Sequence, residues 1–211
     1  KKIIKKDNIS LIPNGSNLKS LFIESNKFIL SYFGLLNKLR NPKVLIDILE
    51  DLVIENKDFA KLFEFHLYGN IQKSTVNYIS SKKKLFKRTN IYNYISEEKL
   101  NNKISSSSIL ILLLNNISRQ NTTPYKIFDY LVSDMPILTL GNFKNNDVDF
   151  LLNKYQKKRR FNYNDKEGIK LFIIDSFNSF RLKKSKKMNL DYSNLRYKKI
   201  CDDYMKVINS L

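Results

Sequence analysis

The segment SILILLLNNISRQNTTPYKIFDYLVSDMPILTL, residues 108–140, runs from an unbroken apolar stretch through a polar loop into a segment of helical period, then into a second apolar stretch. A strand that is apolar at every position must be covered on both faces, and a helix between two such strands brings the chain back so that they lie parallel. The segment therefore reads as a βαβ unit.

The same alternation extends outward on both sides. KFILSYFG, residues 27–34, is a strand ending in glycine, and Asn41 and Pro42 then open a helix, Asn as its cap and Pro in its first turn, continued by KVLIDILEDLVIEN. LFEFHLYG is a second strand, ending at Gly69; Gln72 to Ser80 form a short helix; and a third strand lies near Lys84 to Tyr92. SEEKLNNKI is a helix with Ser96 as its cap and Glu97 and Glu98 in the first turn, where negative charge suits the helix dipole. Ser105 to Ser108 form its polar end. Beyond MPILTL, helices are expected at about 147–155, 165–182 and 190–211. The expected fold class is α/β, a Rossmann-like parallel sheet with helices on both faces, which places ligands at the carboxyl ends of the strands. Residues 1–26 do not fit the repeat, and LIPNG within them reads as an extended piece ending in a turn, hence a linker from elsewhere. The expected organisation is a linker at 1–26, a Rossmann-like domain at 27–188 and a carboxyl-terminal helix at 189–211.

Composition narrows the function classes. With 211 residues, 42% of them hydrophobic, the chain can bury a sizeable core, and its one cysteine, Cys201, excludes a disulfide framework and is expected to pack as a small apolar residue. The opening residues lack the apolar core of a secretory signal, and ILILLL is too short to span a bilayer, so a cytoplasmic protein, soluble or peripheral at the inner membrane face, is expected. The formal charge is +18, from 38 Lys and Arg against 20 Asp and Glu. The lysines recur along the whole chain, with runs at 82–84, 157–160 and 183–187 and no arginine–aromatic interleaving, so nucleic acid is not an expected partner. The charge serves either as solvated surface or as attraction to an anionic membrane surface.

The loop and helix after SILILLL carry the chemistry. A helix opening at Thr122, Thr123 and Pro124 presents free N–H groups at Tyr125 and Lys126, and with a folded-back Lys126 side chain it makes a phosphate site. Asp129, one turn on, is placed to accept hydrogen bonds from ribose hydroxyls. His66, inside a strand, reads as a core residue, and Asp147 to Asp149 open a helix rather than hold a metal. Walker, G-x-G-x-x-G and Ser-His-Asp patterns are absent from the sequence.

PYKIFDYLVSDMPILTL resembles the P-x-K-hydrophobic-F-E-Y-L-A-x-x-K-P-I-L signature in the carboxyl-terminal domain of family-4-type glycosyltransferases of the GT-B fold. LIPNG, FILSYFGLLNKLRNPKVLIDIL and NIYNYISEEKL resemble further segments of that domain, in order. The resemblance implies the donor-binding half of a two-domain enzyme that moves a sugar from a nucleoside diphosphate to a polysaccharide, lipid-linked or other cell-envelope acceptor, with no cofactor or metal. It implies an amino-terminal partner domain carrying the acceptor site and any general base, with the last helix packing back toward it, so this chain alone is expected to bind donor without turnover. It assigns Gly34, Lys38 and Arg40 to the diphosphate, beside Thr122, Thr123, Tyr125 and Lys126. Asp129 takes the ribose in place of the family's glutamate, Asn121 stands where the motif's first glutamate falls, Leu35 replaces a frequent arginine, and Tyr94 and Ile95 frame the base. A GT-B nucleotide-sugar epimerase and a basic Rossmann-like nucleic-acid-binding module are the alternatives.

Overall fold

The structure, a computed structural model, describes residues 12–19, 23–40, 42–116, 122–142, 146–155, 160–183 and 190–210. Among these the first half of the fold contains β1 (Phe28–Phe33), α1 (Lys43–Glu55), α2 (Lys57–Leu62), β2 (Phe63–Tyr68), α3 (Lys73–Ser81), α4 (Lys83–Phe86), β3 (Thr89–Tyr92) and α5 (Glu97–Ser105). The second half contains β4 (Ile109–Leu113), α6 (Lys126–Ser133), β5 (Ile137–Leu140), α7 (Asn146–Lys154), β6 (Arg160–Phe161), α8 (Lys166–Arg181), a 3-10 turn at Ser193–Leu195 and α9 (Tyr197–Asn209).

The strands form one parallel sheet in the order β3-β2-β1-β4-β5-β6, so the chain winds outward from β1 in one direction and from β4 in the other. That reversal puts α1, α3, α4 and α8 on one face and α5, α6 and α7 on the other. The apolar strands β1, β2 and β4 satisfy both layers by alternation. Phe28, Leu30, Phe65, Ile109 and Ile111 pack beneath α1 and α8, while Phe33, Tyr68, Leu110 and Leu112 pack beneath α6. Burying each such side chain contributes about 1.5–3 kcal/mol.

Several local expectations change. The third strand begins at Thr89, because residues 83–86 close a short helix whose first N–H groups are taken by Glu50: its carboxylate accepts from Leu85 N–H at 2.6 Å. A short helix, capped by the Asn56 side chain, precedes β2, and β6 is a two-residue strand within a basic run. Cys201 is exposed rather than packed, because α9 meets the body through Ile200 and turns Cys201 outward. Asn41 and Asn121 lie outside the described residues. His66 is buried, its Nε2 2.8 Å from Glu64 Oε2 and its Nδ1 3.1 Å from the Tyr68 hydroxyl.

The carboxyl edge of the sheet is held by two glycines. Gly34 and Gly69 follow β1 and β2 with φ of 116° and 118°, and their N–H groups extend the ladders to Tyr68 O (2.7 Å) and Tyr92 O (2.9 Å). A Cβ on Gly69 would lie 2.6 Å from the Gly34 carbonyl oxygen, whereas one on Gly34 would first meet the Lys126 Nζ at 3.3 Å. Both substitutions to alanine carry the cost of positive φ, about 1–3 kcal/mol, but only Gly69→Ala also forces backbone apart. Chemical denaturation should therefore show Gly69→Ala the more destabilising of the two by at least about 1 kcal/mol; equal midpoints would mean that the two loops part without strain.

Candidate functional site

The chain from β1 enters the site through Gly34 and doubles back at Leu35 to Arg40. Leu35 carbonyl oxygen accepts from the Tyr32 hydroxyl at 2.7 Å and from Arg40 Nη1 at 2.9 Å, which closes the loop on the end of its own strand. Arg40 Nε donates to Asn115 Oδ1 at 3.0 Å, and Asn116 N–H donates to Leu39 O at 2.8 Å, so the loops after β1 and β4 are joined. Among the described residues, these bonds use Nε and Nη1 of the guanidinium fork. Lys38, in the same turn, is exposed.

Lys126 is the first residue of α6, and its ammonium reaches across to β1. Nζ donates to Phe33 O at 2.5 Å and sits 4.1 Å from the centre of the Tyr32 ring, directly beside Gly34. The ring face and the carbonyl favour the charged amine, but burial, reinforced by Arg40, outweighs them and pushes its pKa down to about 7. Glycine at position 34 is what leaves room for this amine at the loop.

The start of α6 differs from the expectation. Thr123 does not cap it: its hydroxyl meets Asp147 at 3.3 Å, and Tyr125, already in helical conformation, takes the cap position without a side-chain bond. The turn is instead closed by Pro124 O, which accepts from Ile127 N–H at 3.0 Å. Thr122 is exposed, and Tyr125 is half exposed with its ring against Phe128. Asp129, one turn along, is half-buried; burial pushes its carboxyl above the usual range, opposed by a 2.6 Å bond from the Ser16 hydroxyl. Tyr94 is 72% exposed in the loop after β3, and Ile95 beside it packs against the core on the α6 face. Below that loop Phe33, Tyr68 and Tyr92 stack across three strands with ring centres 4.7 Å apart.

Gly34, Arg40 and Lys126 are thus brought into one locus at the carboxyl ends of β1 and β4, with Asp129 next along α6. Sequence reasoning missed Tyr32, Asn115 and Ser16. A tyrosine two residues before the loop glycine, and the pair Asn115-Asn116 directly after the buried strand, were visible signals for the first two. Among the described residues no group of His, Cys, Asp and Glu is arranged to hold a metal.

No family model matches the sequence, and no curated protein matches it. Solved structures do match the fold. A putative UDP-N-acetylglucosamine 2-epimerase from Listeria monocytogenes aligns over 88% of this chain and 45% of its own, at 10% identity and a TM-score of 0.57. Sucrose-phosphate synthase from Thermosynechococcus elongatus aligns over 95% and 52%, at 11% and 0.53. The fold is one Rossmann-like half of the GT-B architecture. The amino-terminal domain of a Candida albicans trehalose-6-phosphate phosphatase also aligns, over 84% and 39%, at 12% and 0.55. The chain therefore spans about half or less of each of these structures. In this GT-B half the gathered cations lie where the sheet reverses its winding, the position at which open α/β sheets take ligands.

The depressed Lys126 pKa has a measurable sign. Its folded value, about 7, lies below the ordinary 10.5, so between those pH values the unfolded chain holds the extra proton and stability rises with pH. The wild type should gain stability relative to Lys126→Met as pH is raised from about 7 to about 10, followed by denaturant midpoints. Parallel pH curves for the two proteins would place the amine in water.

Proposed function

We propose that this chain is the donor-binding half of a glycosyltransferase, one that holds a nucleoside-diphosphate sugar at the carboxyl edge of its sheet while a second Rossmann-like domain presents the acceptor. The observation that carries this reading is the convergence of the Lys126 ammonium and the Arg40 guanidinium at the Gly34 loop, with the Asp129 carboxylate one helical turn away. Two basic groups held together suit a diphosphate, whose charge grows as the glycosidic bond breaks. Fixed charge at that point stabilises the departing group without need of a nucleophile. Asp129 takes ribose hydroxyls, and Lys38, Thr122, Thr123 and the backbone N–H groups of Tyr125 and Lys126 complete the phosphate surroundings. Tyr94 and Ile95 border the base. The reaction asked of such a site needs neither cofactor nor metal.

The outer face of α9 supports a two-domain arrangement: Tyr204, Met205 and Ile208 are each more than half exposed, as a helix that packs on another domain would leave them. The acceptor we propose is a polysaccharide, lipid-linked or other cell-envelope molecule at the cytoplasmic membrane face. The likeness to an epimerase fold favours a second reading, in which the same donor site serves inversion of a sugar carbon; the full-length protein would then convert the nucleotide sugar without any acceptor.

Calorimetric titration of this chain with UDP, GDP, ADP and CDP tests the donor site. One base should be preferred, and Arg40→Ala and Asp129→Ala should each weaken its binding about tenfold or more, the scale of a hydrogen bond to a charged group. Absence of binding by every diphosphate to the folded chain would sink the reading. The +18 charge makes a separate prediction: sedimentation with vesicles should increase with their anionic lipid content and fall as salt is raised. Sedimentation indifferent to anionic lipid would leave the charge as solvated surface alone.

A further inference from the structure

We infer that Ser16 is the positioning residue for the Asp129 carboxylate, fixing its plane for the ribose hydroxyls. This rests on the reading above that Asp129 meets the ribose. Ser16 belongs to the segment that precedes the first strand, yet it is 1% exposed, and its hydroxyl donates to Asp129 Oδ1 at 2.6 Å. A serine hydroxyl has one proton, and here the carboxylate takes it; the lone pairs of the same oxygen accept Leu18 N–H at 3.0 Å.

The serine itself is held from behind. Its backbone N–H donates to Leu195 O at 2.7 Å, it bridges to Arg196, and the Arg196 guanidinium bonds the Leu18 carbonyl. Gly15 lies against the same turn, with room so small that a Cβ would come within 2.9 Å of Leu195 O. The hydroxyl therefore enters the site from a backbone pinned to the start of α9, and its direction is set by that attachment rather than by α6.

The consequence for Asp129 is chemical as well as geometric. An aspartate on an exposed helix face turns freely about its terminal torsion; a bond to Oδ1 removes that freedom and leaves Oδ2 directed for a donor. Ribose hydroxyls donate, and the ionised carboxylate, an acceptor at both oxygens, receives them best. Burial and the nearby Glu97 both favour the protonated form, and the Ser16 bond opposes them. Ser16 thus holds the acceptor's orientation and favours its charged form.

The test compares the nucleoside diphosphate that binds best among UDP, GDP, ADP and CDP with its 2′-deoxy and 3′-deoxy forms. The wild type should favour the ribonucleotide by about tenfold over at least one deoxy form. Ser16→Ala should weaken the ribonucleotide several-fold, leave that deoxy form unchanged and so shrink the ratio; Ser16→Thr, which keeps the hydroxyl, should restore it. Equal weakening of both nucleotides, or an unchanged ratio in folded Ser16→Ala, would overturn the role, since a serine that merely shapes the segment cannot distinguish them. Should Ser16→Ala fail to fold, Ser16→Cys, of nearly the same size, carries the same expectation. Asp129→Ala separates the two levels: a wild-type ribose preference that survives it overturns the ribose reading itself, whatever Ser16 does.

Discussion

The close approach of two strand ends governs this site. β1 and β2 finish side by side, and the Gly34 carbonyl lies so near the Gly69 Cα that no side chain fits between them. Both residues take positive φ, which turns the chain sharply off the sheet instead of letting it run on as strand. The turn at Gly34 leaves the Phe33 carbonyl open to Lys126 and feeds Leu35 back to Tyr32 and Arg40. A bulkier residue at 34 would displace the amine; one at 69 would displace the loop that meets it.

Around that constraint the protein assembles a locus of positive charge from segments far apart in sequence. Burying the Lys126 amine, with Arg40 nearby adding to the effect, costs energy, as the lowered lysine pKa records. The arrangement persists because other contacts fix both groups: Asn115 and Leu35 hold the guanidinium, and Phe33 and the Tyr32 ring hold the amine. Charge that is already placed need not be reorganised when an anion arrives.

What was legible in the sequence follows from how local each feature is. The βαβ order could be read because a strand covered on both faces has little place for polar residues: β4 has none, β1 only Ser31, and in β2 Glu64 and His66 bond each other. That Gly34 ends a strand and that Lys126 and Asp129 lie at the start of a helix could be read because each sits at a fixed offset from the end of an element. The two-residue β6 could not, since its Arg160 is satisfied by Asp149 and the Gly141 carbonyl, contacts that no periodicity announces. Thr123-Pro124 has the pattern of a cap and first turn, but tertiary structure supplied Asp147 as a competing partner. Ser16 lay in a stretch that reads as a linker, and its role depends on Leu195 and Asp129, both more than a hundred residues away in the chain.

The same distinction accounts for a fold kept at 10–12% identity to the three matched structures. A core of Phe, Leu and Ile can be rebuilt with other apolar residues so long as volume and alternation are preserved, so most of the buried sequence is free to drift. Backbone geometry at the carboxyl edge has no such freedom. The contacts that shape the locus here fall largely on main-chain atoms, the carbonyls of Phe33, Leu35, Gly34 and Leu195, which any residue supplies once the chain is turned correctly. Few side chains shape the locus in this chain: two glycines that permit the turns, two basic residues beside them and an acid one helical turn on. A sequence can lose nearly all resemblance to its structural neighbours and still keep the fold, which is why order and spacing of short segments carried more information here than overall identity.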